Sequence, residues 1–198
     1  MMKRKRSTIT KAKMLKGIHD ILIEEGWGKV NVAYVSSYSG IDRKLLYYHF
    51  ESFSNMVAEF LSLESVQFKE GSVDSQDDQE LTGYLKQRME TLFENPLLKQ
   101  LLVWELSAKM PALKEYAAPR EEKDAKMSVK FNDFEHNAES DTDMQAVFAL
   151  LLGGIHYLSA YSHHNDKPFF GMNFNDEQQR KHLLNLLDKL LLDVKQMV

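Results

Sequence analysis

Between Val30 and Phe50 the chain reads VNVAYVSSYSGIDRKLLYYHF, two short helical stretches of eight residues joined by a tight glycine turn. The first stretch is expected at about Val32 to Ser39, closed by Gly40, and the second at about Arg43 to Phe50, with Asp42 as its N-cap. An upstream amphipathic helix, from about Thr8 to Glu25, carries Met14, Ile18, Ile21 and Leu22 at helical spacing and stops at Gly26. Three helices in fifty residues, the last two joined by a glycine turn, form a helix-turn-helix pattern.

Charge singles out the same segment. Residues 1–50 carry Lys3, Arg4, Lys5, Arg6, Lys11, Lys13, Lys16, Lys29, Arg43 and Lys44 against only Asp20, Glu24, Glu25 and Asp42, a balance of +6 in a chain whose net charge is -4. A basic module at one end of an acidic body suits contact with a polyanion. A reading helix of this kind offers its N-terminal residues to base edges while neighbouring groups hold phosphates. Arg43 and Lys44 open that helix, and Tyr48 and His49 project near the backbone.

Helix is also the default beyond Phe50, because 4 Pro and 9 Gly interrupt 198 residues and apolar/polar alternation is scarce. A helix to about Glu70 precedes a polar loop, Gly71 to Gln79. Further helices are expected at about Glu80–Glu94, Pro96–Lys109 and Arg120–Ala138, with Pro96, Pro111 and Pro119 as punctuation. Two long segments finish the chain. One, about Thr142 to His163, is apolar on nearly every side and includes Gly153 and Gly154. The other, about Asp176 to Met197, has Asn175 and Gln178 spaced as a capping pair and a stripe of Leu183, Leu184, Leu187, Leu190, Leu191 and Val194.

The Val30–Phe50 segment resembles the helix-turn-helix of the tetracycline-repressor (TetR) family of transcriptional regulators. Val32, Val35, Gly40, Ile41, Leu46, Tyr47, His49 and Phe50 fall where that family places its apolar core, its turn glycine and its L-Y-x-H-F signature, and Glu25-Gly26-Trp27 resembles its E-x-G-aromatic end of the first helix. The remainder resembles the family only in helical layout. The resemblance implies an all-α chain with a three-helix DNA-binding domain over 1–50 and a helical effector-binding and dimerisation domain over 51–198. It implies a cytoplasmic, ligand-responsive repressor that binds a palindromic operator in double-stranded DNA as a homodimer, without a cofactor. Tyr47 and His49 would contact phosphate, and Arg43, Lys44 and Tyr48 would face the groove.

Three positions depart from the family pattern. Ala33, Leu45 and Phe53 stand where Arg, Thr and Lys are common, which removes three expected backbone contacts. A basic arm, Lys3, Arg4, Lys5 and Arg6, can compensate along phosphates or in the minor groove. The same departures motivate the alternative reading, a helical interaction protein that kept the fold and lost specific DNA binding.

The effector region is rich in large side chains. Phe93, Trp104, Met110, Tyr116, Phe131, Phe134 and His156 are the candidate lining of a pocket for a small, mostly apolar molecule. No Cys is present, and the sequence has no phosphate loop, no G-x-S-x-G and no acid/base pair of distinctive spacing, so catalysis has no support. His163, His164 and Asp166 diverge around a helix end and are not expected to hold a metal. No apolar run is long enough for a membrane span.

Overall fold

The computed structural model describes residues 2–67, 79–134, 144–165 and 167–196, with side chains for 8–64, 82–129, 145–163, 165, 167–190 and 193. Among these residues the elements are α1 (Met2–Glu24), a 3-10 turn (Trp27–Lys29), α2 (Val32–Ser39), α3 (Arg43–Phe50), α4 (Phe53–Gln67), α5 (Gln79–Glu94), α6 (Pro96–Ser107), α7 (Pro111–Phe134), α8 (Met144–His164) and α9 (Glu177–Gln196). The structure is all-α, as the scarcity of breakers and the helical spacing require. The chain divides into two compact units. One comprises Met1–Glu70 with Gln100–Pro119, and the other Gly71–Lys99 with Arg120–Val198. The boundary expected at residue 50 falls between α3 and α4, which pack together inside the first unit.

In the first unit α1 packs against α2, α3 and α4. Met14, Ile18, Ile21 and Leu22 bury one face of α1 against Val35, Leu46, Phe50, Met56, Val57 and Phe60. Gly17 lies where α1 meets α2, and a methyl group there would sit 3.7 Å from Ser39 Cβ. Leu101 and Trp104 on α6 and Leu113 on α7 are also buried.

In the second unit α5 packs against α8 and α9. Tyr84 and Phe148 approach at 6.2 Å between ring centroids, and Lys86 pairs with Asp188 at 2.6 Å. Arg88, almost wholly buried, donates from Nη2 to Tyr84 Oη at 2.6 Å and to Asp124 Oδ1 at 2.7 Å. The α8–α9 connection makes a tight turn, with Phe169 bridged to Met172 and Phe170 and Gly171 at φ 48° and 81°.

Four expectations need correction. Pro119 does not separate two helices but lies inside α7, with Ala112, Leu113 and Ala117 buried before it and Met127 after it. The backbone of Lys3 to Arg6 continues α1 instead of forming a separate arm before a helix at Thr8. Asn175 is not the cap of α9: Asp176 Oδ1 accepts from Gln178 N at 2.8 Å, while Asn175 Nδ2 donates to the carbonyl of Ser162 at 3.0 Å. Leu187, placed in the broad stripe of α9, faces inward at 4% exposed, whereas Leu186 and Leu190 face outward. The loop expected at Gly71–Gln79 and the helix end expected at Ala138 lie largely outside the described residues.

Candidate nucleic-acid interface

Local hydrogen bonds hold both ends of α2 and the start of α3. Asn31 Oδ1 accepts from Tyr34 N at 3.0 Å and caps α2. At the other end Gly40, at φ 67°, donates to the Ser37 carbonyl while Ile41 N donates to the Ser36 carbonyl at 3.1 Å, the paired bonds of a Schellman turn. Ser36 Oγ closes the turn by donating to the Ile41 carbonyl at 2.6 Å. Asp42 Oδ1 then accepts from Lys44 N at 2.7 Å and starts α3.

With both ends held, α3 has a defined outer face. Leu46 and Phe50 are buried, four residues apart, and pin its inner side. Arg43, Lys44, Tyr47 and Tyr48 are all exposed, at the i, i+1, i+4 and i+5 positions of one face, and Tyr48 is the most open of them at 78%. Half-buried His49 lies edge-on to Tyr48, with ring centroids 5.1 Å apart. Leu45, where a polar residue was expected, is exposed beside this face; Ala33 is exposed on α2, and Phe53 is half-buried at the start of α4.

The turn after α3 is strained. Glu51 has φ 65° and ψ -39°, and Ser52 N donates to the Phe50 carbonyl across it at 2.7 Å, a γ-turn of the rare hand. Ser52 Oγ then accepts from Asn55 N and caps α4, so α4 follows α3 after only Glu51 and Ser52.

Not every basic residue of the N-terminal module is available to a polyanion. Lys11 pairs with Glu59 at 2.7 Å and lies 4.8 Å from the centre of the Phe50 ring, which ties α1 to α4 and to the end of α3. Lys16 pairs with Asp20 on its own helix. The sequence reading missed the contact between Tyr38 and Glu24, residues fourteen apart on different helices. The side chains of Lys3, Arg4, Lys5 and Arg6 lie outside the described residues.

The candidate effector residues divide between the two units. Trp104 is buried in the first unit, where Met110 and Tyr116 are half-buried. Phe93 and His156 belong to the second, and Phe93 lines a groove of about 260 Å³ between α5 and α9. Phe131 and Phe134 have backbone positions in α7, but their side chains lie outside the described residues. His156 is half-buried on α8, and its pKa falls to about 4 because burial disfavours the imidazolium, with the Arg88 and Arg120 charges adding to the effect. Asp166 is outside the described residues, and among those described no three His, Cys, Asp or Glu side chains cluster as metal ligands. No described helix is long and apolar enough to cross a membrane.

No protein-family model matches the chain. None of the curated proteins matches it either. Solved structures do. NalD, the secondary repressor of the MexAB-OprM multidrug efflux pump in Pseudomonas aeruginosa, superposes with a TM-score of 0.57 at 14% identity, over 93% of this chain and 96% of NalD. A protein from a Rhodococcus species, described as a TetR-family transcriptional regulator, gives 0.55 at 19% identity, over 92% and 98% of the two chains. GusR of Salmonella enterica gives 0.52 at 17% identity, over 92% and 95%. Over nearly its whole length, this chain has the all-α, TetR-like fold.

Proposed function

We infer that the chain is a DNA-binding transcriptional regulator, a cytoplasmic repressor that binds a palindromic operator as a homodimer and releases it on binding a small molecule. The observation that carries this reading is the outer face of α3. Arg43, Lys44, Tyr47 and Tyr48 stand exposed together on a helix whose start and preceding turn are held by their own hydrogen bonds. Two cations can take guanine edges or phosphate, and two phenols can hydrogen-bond to the backbone. Leu45 beside them suits a thymine methyl group better than a phosphate. NalD, a repressor, and the Rhodococcus protein, a TetR-family regulator, share this fold and support the same reading.

The dimer reading rests on apolar side chains left open on the last two helices. Leu150, Gly153 and Tyr157 are exposed on one face of α8, Leu150 at 76%, and Leu186 and Leu190 are exposed on α9. The effector reading rests on the second unit, where Phe93 lines the groove between α5 and α9 and His156 is half-buried on α8.

A gel shift across a salt series, on DNA flanking the chain's own coding region, tests the assignment. Specific binding should weaken steeply with salt, and Lys44→Ala should lower discrimination between sites while flattening the slope by roughly 0.9 for one lost phosphate contact. Weak binding that is indifferent to sequence, unchanged by Lys44→Ala, would favour the interaction-protein reading.

A further inference from the structure

Phe93, near the end of α5, is approached by two cations. Lys99 Nζ is 5.2 Å from the ring centre, and the Arg180 guanidinium carbon is 5.7 Å from it. Phe174 flanks the same ring at 6.3 Å between centroids. Lys99 is only 6% exposed, yet among the described residues no carboxylate lies within ion-pair distance of Lys99 or of Arg180. Arg180 donates from Nη1 to the Phe174 carbonyl at 2.9 Å, which orients its guanidinium beside the ring.

Two like charges gathered at one ring, one of them buried, repel each other unless an anion offsets them, and Glu177, which Arg180 stabilises from beyond ion-pair distance, is already paired with Lys181. Burial holds the Lys99 pKa below its ordinary value, and the neighbouring Arg180 charge lowers it further. A cation on an aromatic face recovers part of the lost hydration, but the Phe93 ring offers no negative charge. An anion between the two would lift the repulsion and supply acceptors for both side chains.

The adjoining groove limits which anion fits. Phe93, Met89, Leu184 and Arg180 line it, together with the exposed carboxylates Glu90, Glu94 and Glu177. Lys181 neutralises Glu177 at 2.6 Å, whereas Glu90 and Glu94 would repel a ligand carrying several negative charges. Phe93, Met89 and Leu184 give an apolar ligand body something to pack against.

We propose that Lys99 and Arg180 form a binding site for a small organic monocarboxylate, its carboxylate between the two cations and its apolar body along the groove between α5 and α9. The site stands apart from the DNA-binding reading, because binding is measured on the protein alone. Benzoate and octanoate, each titrated into the full chain at constant ionic strength with chloride as reference, should raise the melting temperature and give a saturable calorimetric isotherm. Lys99→Met should melt at or above the temperature of the unliganded wild type, since it removes a buried cation, and should weaken carboxylate binding about tenfold or more. Lys99→Arg should retain binding, and Arg180→Gln should lose it. Inorganic phosphate should bind more weakly than either carboxylate. If neither carboxylate stabilises the protein beyond chloride, or if Lys99→Met binds both as well as wild type does, the proposal fails. Should Arg180→Gln not fold, the comparison of Lys99→Met with Lys99→Arg decides.

Discussion

The phenol of Tyr38 on α2 donates a 2.8 Å hydrogen bond to the Glu24 carboxylate at the end of α1, joining the helix that supports the reading helix to the helix beneath it. Glu24 is the main reason that the Tyr38 pKa rises to about 12: a carboxylate acceptor favours the neutral phenol and opposes the phenolate. Because the folded value lies above the unfolded one of about 10, the contact's contribution is fully present below pH 10 and is lost as pH rises toward 12. Burial and the Asp124 carboxylate also make Tyr84 ionise late, so absorbance titration of the phenolates should show a late component that loses the Tyr38 contribution in Glu24→Gln. Tyr38→Phe should remove that contribution, and an unchanged titration in Glu24→Gln would show that the bond does not form in solution.

Gly17 gives a second check on the same helix pair. It occupies the middle of α1, where glycine costs about 0.5–1 kcal/mol relative to alanine. A methyl group there would meet Ser39 Cβ at 3.7 Å and Tyr38 and Val35 at 3.9 Å, ordinary contact distances. Gly17→Ala should therefore raise stability by about 0.5–1 kcal/mol in urea unfolding and leave DNA affinity intact. Gly17→Leu should push α2 outward and weaken both.

The elements most legible in the sequence were those decided locally. Gly40 and Asp42 set the bounds of α2 and α3, and both helices span the residues that their caps imply. Pro119 misled because a breaker rule judges one residue's lost N–H and its clash with the preceding turn, whereas buried side chains on both sides of it hold α7 continuous. Contacts such as Lys11 with Glu59, Arg88 with Asp124 and Arg180 with the Phe93 ring join residues far apart in sequence, so no spacing announces them. The stripe on α9 was visible, but its width hid which leucines face inward.

That distinction separates assembly from folding. Leu150 and Leu187 are both leucines of the proposed dimer-forming helices, one 76% and the other 4% exposed. Leu150→Arg should leave a folded chain that sediments as a monomer and no longer binds a palindromic operator. Leu187→Ala should cost about 2–5 kcal/mol of stability by opening a cavity within the subunit. A dimer that survives Leu150→Arg at micromolar concentration would move the interface elsewhere.

Trp104, on α6, is 2% exposed. Trp104→Ala should cost about 3–5 kcal/mol, the range for removing a large buried aromatic. Trp104→Phe should recover much of that loss. If Trp104→Ala costs less than about 1 kcal/mol, the side chain lies against a space that a ligand could fill, and tryptophan fluorescence should then respond to apolar ligands.

His156 predicts how the second unit responds to acid. Its pKa is lowered to about 4, first by burial and then by the charges of Arg88 and Arg120, so the folded chain keeps it neutral where an unfolded chain would protonate it. The unfolded state then binds more protons below pH 6.5, and stability must fall as pH drops from there toward 4, after which this residue adds no further loss. Between pH 7 and 5 the loss from this one group should approach roughly 2 kcal/mol, less to the extent that its half-buried ring stays in contact with water. His156→Gln keeps a polar side chain without a titrating proton and should remove that part of the acid sensitivity. Urea unfolding at pH 7, 6 and 5 measures the difference directly. Parallel pH profiles for the wild type and His156→Gln would mean that the imidazole is solvated in the folded chain and that neither arginine acts on it.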